Sequence, residues 1–162
     1  MAGEGTPVTA DKDTINRDEA AQAVAIKRYG TEIGEAVRRA VAEAGLPPEP
    51  ANYGKGKGRD LPGFGMHDGI EACEVAGEPR LRAHGCVLAK VWYEKGQDAL
   101  GRIYCYVDPA KYMAYNPDVK MIHTRCVPDG DAFCELAVRS TTPEDRKRFR
   151  GDGPDWITVD AP

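Results

Sequence analysis

The groups able to do chemistry are concentrated between Gly101 and Arg139, in GRIYCYVDPAKYMAYNPDVKMIHTRCVPDGDAFCELAVR. Cys105, Cys126 and Cys134 fall there, with His123 and the acids Asp108 and Asp131. A thiol that attacks an electrophilic carbon needs a base to take its proton and a group to orient that base. His84 and His123 are the candidate bases, because imidazole titrates near neutrality. Asp108 and Asp131 are the candidate orienters or cation binders. Arg125 and Arg139 fall in expected strands of a sheet that buries one face. A buried guanidinium requires a carboxylate, from the protein or from a substrate. Plainer roles compete with these. Cysteine is usually a small buried hydrophobe, which suits Cys73 and Cys126 best. Cys86, Cys105 and Cys134 fall at element ends beside polar neighbours, where a thiol is more often reachable. Asp131 after Gly130 is ordinary turn chemistry.

Metal ligation has less support. In His84-Gly85-Cys86 the outer two residues share one face of a strand and could chelate together. His123 and Cys126, three apart, fall on opposite faces of a regular strand. The chain has no Cys-x-x-Cys and no His-Glu-x-x-His, and structural zinc normally takes four well-spaced ligands. Neither a metal nor an organic cofactor is expected. A metal- or haem-binding protein using His84, Cys86 or His123 stays as an alternative.

These groups need a frame. Residues 1 to about 15 are polar and glycine-rich and read as a frayed tail. Asn16 or Asp18 is the expected N-cap of a helix running to about Ala44. Val24, Tyr29, Ile33, Val37 and Val41 give it an apolar stripe, and Gly45 with Pro47 and Pro48 stops it. Gly30 and Gly34 inside it mark either a close approach by a neighbour or a break. Residues 46–66, rich in Pro and Gly, read as a flexible loop. Their alternative role is a lid whose Lys55, Lys57 and Arg59 meet an anionic substrate.

A strand follows at Gly69–Val75, then a turn at Glu78-Pro79 and a second strand at Arg80–Cys86. Val87–Glu94 has helical spacing. Asp98 caps a helix from Ala99 to about Tyr115, which Pro109 kinks or restarts with Asp108 as N-cap. Val119–Val127 and Phe133–Ser140 form a hairpin around Pro128-Asp129-Gly130-Asp131, with Met121, His123 and Arg125 on one face. Thr142-Pro143 caps a short charged helix, and an extended arm docks through Trp156 and Ile157.

With 162 residues the chain is one domain able to bury its own core. Its net charge of −4 argues against nonspecific nucleic-acid binding. It lacks the apolar run of ~18 residues that a membrane span needs. The start, MAGEGTPVTADKD, is no secretory signal, so a cytoplasmic protein with reduced thiols is expected. The partner is a small-molecule substrate, with no nucleic acid and no membrane. The long helix is expected to pack either within the chain or across a two-fold axis, as in a homodimer.

Taken in order, several pieces resemble the L-2-amino-thiazoline-4-carboxylic acid hydrolase-like family. They are Gly85-Cys86 before a helix with Trp92, Tyr104-Cys105-Tyr106-Val107-Asp108, Tyr115-Asn116-Pro117, Thr124-Arg125, Gly130-Asp131 and Cys134. Residues 43–65 show no match, and Cys73, His84 and His123 are not tied to the pattern. The resemblance implies an α+β fold: a small antiparallel sheet packed with helices, similar to vinyl-reductase-like small-molecule-binding domains. It implies hydrolytic opening, at the carbon–nitrogen bond, of a cyclic amidine or thiazoline that bears a carboxylate. In that chemistry Asp108 holds the protonated amidine and Arg125 clamps the substrate carboxylate. Cys105 or Cys134 is the nucleophile or shapes the pocket, and His123 moves the proton. Cys86, Tyr104, Asn116 and Asp131 complete the substrate contacts. A cyclase or isomerase of a natural-product pathway, or a non-catalytic sensor, fits the same inventory.

Overall fold

A computed structural model describes residues 12–56 and 67–161, with the side chains of 12–17 left aside. Residues 1–11 of the expected tail, and Lys57 and Arg59 of the expected lid, lie outside the described residues.

The first helix, α1, spans Lys12–Glu43. It begins before the expected caps, so Asn16 and Asp18 are inside it. Gly30 and Gly34 do not break it. They mark where α4, Val107–Tyr115, crosses it. A Cβ on Gly30 would sit 2.5 Å from the Ala110 Cβ, and one on Gly34 would collide with the Lys111 carbonyl. The missing side chains let the two backbones approach, as small residues do at close helix crossings.

Four strands form an antiparallel sheet in the order β1-β2-β4-β3, with β1 Gly69–Val75, β2 Glu78–His84, β3 Val119–Arg125 and β4 Cys134–Ser140. The first turn differs from the expected one. Ala76 and Gly77 both take positive φ, 52° and 81°, as a two-residue hairpin with right-handed strand twist requires. Glu78 and Pro79 therefore belong to β2. Gly85, at φ 64°, ends β2. Cys86 then caps α2, Val87–Glu94, its sulfur accepting the Ala89 N–H at 3.4 Å.

The expected helix over 99–115 is two: α3, Asp98–Cys105, and α4. The break falls at Tyr106, two residues before the expected N-cap. Asp108 thus lies within the first turn of α4, and Pro109 follows where its missing N–H costs nothing.

The sheet has two unlike faces. Leu81, Ala83, Met121, His123, Cys134 and Leu136 look toward α2–α4. On the other face Glu78, Arg80, Arg82, Glu135 and Thr124 form a continuous ion-pair network. Arg80 holds Glu135 at 2.7 Å, Arg82 holds it at 2.8 Å, and Arg139 holds Glu78 at 2.8 Å. The hydrogen bond from Arg139, with Arg80 beside it, draws the Glu78 carboxyl down to about 2.

Thr142 and Asp145 form a capping box at the start of α5, Pro143–Arg150. The expected extended arm is a 3-10 segment, Pro154–Asp160. Its Trp156 is 0% exposed, donates to the Ala23 carbonyl at 2.8 Å, and packs with Ile26, Ile103, Val107, Ala110, Met113 and Val159. That cluster is the main core. It fixes the C-terminal segment between α1 and the open edge of β3.

Candidate functional site

Between the sheet and α2–α4 lies a cavity of about 350 Å³, a size that suits a small metabolite. Its wall is mostly apolar, with Leu81, Leu88, Trp92, Met121 and Leu136 prominent. Tyr53, in the described half of the 46–66 loop, stacks on Tyr112 of α4 with ring centroids 4.4 Å apart. Both tyrosines line the cavity. The Trp92 indole nitrogen is buried and lacks an acceptor among the described residues.

The polar groups converge on one line. Asp108 receives Lys111 Nζ on one oxygen at 3.0 Å and His123 Nε2 on the other at 3.4 Å. This placement follows from the helix break, because one turn inside α4 the spacing of three puts Asp108 and Lys111 on one face. At its far side His123 Nδ1 meets Asp160 at 3.1 Å. Asp160, with a side chain 0% exposed, also accepts the His123 backbone N–H at 2.7 Å and Arg102 Nη2 at 2.7 Å. The chain of charge runs Lys111–Asp108–His123–Asp160–Arg102.

Burial opposes charge on Asp108, His123 and Arg102, and the neighbours outweigh it. Asp108 is penalised by desolvation, yet Lys111 and His123 hold its carboxyl well below the usual range. Burial opposes the His123 imidazolium, but the hydrogen bonds to Asp108 and Asp160 push its pKa up to about 9. At neutral pH His123 is therefore a proton donor poised against an anion. The thiols differ. The hydrogen bond to Cys126, then burial, raises Cys134. The hydrogen bond to Cys105, together with burial, raises Cys126, and burial raises Cys86. None of these three is a ready thiolate.

Cys86, Tyr104, Cys105, Asp108, His123 and Cys134 all line the cavity. The other three expected site residues lie elsewhere. Asn116 Nδ2 donates to the Pro48 carbonyl at 2.8 Å and its Oδ1 accepts the Asp118 N–H at 2.9 Å, which tethers the loop after α1. Asp131 accepts the Cys126 N–H at 2.8 Å and so closes the β3–β4 turn. The Arg125 side chain is 55% exposed, lies 3.7 Å from Asp131, and stacks over Phe133 on the outer face. Arg139 is likewise on the outer network. The cation that meets the cavity is Lys111, whose spacing from Asp108 was available in the sequence. Asp160 carried no such signal.

His84 and Cys86 do not converge. His84 faces outward, 3.3 Å from Glu71, while Cys86 faces the cavity. His123 and Cys126 do converge, against expectation. The register slips between His123 and Arg125, leaving Thr124 as an extra residue. This bulge turns Cys126 back to the side of His123 and sends Arg125 outward.

The family model for L-2-amino-thiazoline-4-carboxylic acid hydrolase matches residues 8–138, most of the chain. The chain belongs to this family. Its matched span contains the cavity groups Cys86, Tyr104, Cys105, Asp108, Lys111, His123 and Cys134, and stops short of Asp160. No curated protein and no solved structure matches the chain. The family description is that of a hydrolase of a thiazoline carboxylate, and the fold is α+β as expected. No described helix is long and apolar enough to cross a membrane.

Proposed function

We propose that this protein hydrolyses the C=N centre of a small cyclic amidine bearing a carboxylate, with 2-amino-thiazoline-4-carboxylate as the type substrate. One observation carries the reading. In a member of this hydrolase family, an anion, a cation and a protonated imidazole converge on one apolar cavity. Asp108 pairs with the amidinium and keeps it protonated, which makes its carbon electrophilic. Lys111 takes the substrate carboxylate, the role first expected of Arg125. The Trp92 N–H supplies a further donor.

Water, not a thiol, is the nucleophile, in keeping with the raised Cys86 and Cys134. Water adds to the amidinium carbon and gives a proton to Asp108. His123 Nε2 gives a proton to the departing ring heteroatom. As the carbonyl forms, the hydroxyl proton of the intermediate leaves to solvent, which balances the proton the amidinium carried. Asp108 then returns its proton to His123, and no net proton is consumed. Asp160 holds the imidazole so that Nε2 faces Asp108, the orienting role that a buried carboxylate plays for a catalytic histidine.

The purified protein incubated with 2-amino-thiazoline-4-carboxylate should form a product heavier by one water. A thiol reagent reports whether sulfur or nitrogen departs. Absence of any hydrated product at millimolar substrate refutes the reading.

A further inference from the structure

The proton route above leaves unused a cluster of three sulfurs, two lining the cavity and one buried behind it. Cys105 ends α3, Cys126 follows the β3 bulge, and Cys134 opens β4. The Cys126 thiol has the thiols of both Cys105 and Cys134 as neighbours. One ligand atom each from Cys105, His123 and Cys126 lies within 4.8 Å of the others. Tetrahedral zinc, with bonds of about 2.0–2.3 Å, needs ligands roughly 3.5 Å apart. Small side-chain rotations close that difference.

We propose that Cys105, Cys126 and His123 form a binding site for a soft divalent cation, zinc above all. Two sulfurs and one imidazole are a donor set that favours zinc over the hard cations. The surroundings are those of a metal site. Asp160 engages His123 Nδ1 at 3.1 Å, which aims Nε2 inward, as the carboxylate–histidine pairs behind metal ligands do. The Nε2 contact with Asp108 is the longer, at 3.4 Å. Cys134 is a third sulfur beside Cys126, its Sγ also accepting the Val127 N–H at 3.4 Å. Cys105, His123 and Cys134 line the cavity, so an ion can reach the site and keep one position open toward it. Each thiol that becomes a ligand gives its proton to solvent.

A metal on Nε2 removes the proton that His123 gives the leaving group. Zinc therefore inhibits water-driven hydrolysis of the kind proposed above. The site itself does not depend on that reading.

The test is cobalt(II) titration of the chelator-treated full chain, watched by absorption. One equivalent should produce a thiolate-to-cobalt charge-transfer band and visible d–d bands of a tetrahedral centre, and one equivalent of zinc should remove both. Cys105→Ser and Cys126→Ser should each weaken binding at least tenfold. Asp160→Asn should weaken it about 10- to 100-fold. Cys73→Ser, on the outer face, should change nothing. Circular dichroism establishes that each variant is folded, and Cys105→Ser, at a partly exposed position, serves if buried Cys126 tolerates no change. No thiolate band, or bands that survive in Cys105→Ser, overturns the inference. A chain that binds one cobalt through sulfur yet hydrates no thiazoline supports this site and refutes the proposed function. The reverse result does the opposite.

Discussion

Replacing Asp160 by Asn tests the charge chain at its most buried point. The side chain is 0% exposed and takes three donors: the His123 backbone N–H, His123 Nδ1 and Arg102 Nη2. The amide keeps the shape and one acceptor but removes the charge. Its NH2 group then faces a cation on at least one side. Breaking a buried ion pair by removing one partner costs about 3–5 kcal/mol. Arg102 sharpens the effect, because its Nη1 already lacks a partner among the described residues. At about 2–4 °C per kcal/mol for a chain of this size, Tm should fall by roughly 6–20 °C.

The pH dependence separates this account from simple misfit. The folded pKa of His123 is about 9, against an ordinary value of 6.5. Its contribution is fully present below ~6.5 and is lost as pH rises through about 9, and the shift corresponds to roughly 3 kcal/mol. Urea unfolding of the metal-free protein should therefore show stability declining between those limits. In Asp160→Asn the decline should shrink, with the His123 titration midpoint, followed by NMR, moving down. A loss below ~1 kcal/mol, or an unchanged midpoint, refutes the reasoning.

Four further outcomes follow from the site and its frame. Asp108→Asn should lower kcat about 10²- to 10⁴-fold by removing the amidinium partner and proton acceptor, whereas Lys111→Met should act mainly on KM, as steady-state kinetics with the thiazoline would show. Arg125→Ala should leave turnover unchanged and shift stability by no more than ~0.5 kcal/mol, since the side chain is exposed outside the cavity. Gly34→Ala should lower the urea midpoint. The helix gains about 1 kcal/mol from Ala, but overpacking costs about 1–3 kcal/mol and the obstacle is the Lys111 backbone, which cannot rotate away.

Periodicity exposed the elements where one face is buried. The Val37–Val41 end of the α1 stripe and the capping signals of α5 are local and reappear in the fold, whereas Val24 and Tyr29 are exposed. β1 is a strand as its alternation suggests but buries neither face, with Ile70 60% exposed. Boundaries moved where a turn was set by backbone conformation instead of side-chain type. Ala76 takes a positive φ that its identity does not advertise, so the β1–β2 turn was misplaced by two residues. The cavity groups on α3 and α4 were legible because spacing of three or four residues fixes a helix face. Asp160 was not legible. It reaches His123 from 37 positions away, through the docking of Trp156, and no local pattern reports a contact of that range.

A single inserted residue accounts for the two largest departures at the site. In a regular β3, His123 and Arg125 would share the cavity face and Cys126 would look outward. That geometry gives a carboxylate clamp at Arg125 and no metal site. The extra residue, Thr124, reverses both assignments at once. It is stabilised where it stands: the Thr124 hydroxyl lies 2.7 Å from Arg80 Nη1 and donates to Glu135 Oε1 at 2.8 Å, and beyond it Asp131 secures the Cys126 N–H. The outer ion-pair network therefore does more than solvate a sheet face. By holding the bulge it selects which side chains reach the cavity, placing a thiol beside the imidazole and turning Arg125 away while Lys111 lines the cavity. Removing those partners of Thr124 would change the chemistry of the cavity without altering any residue that lines it.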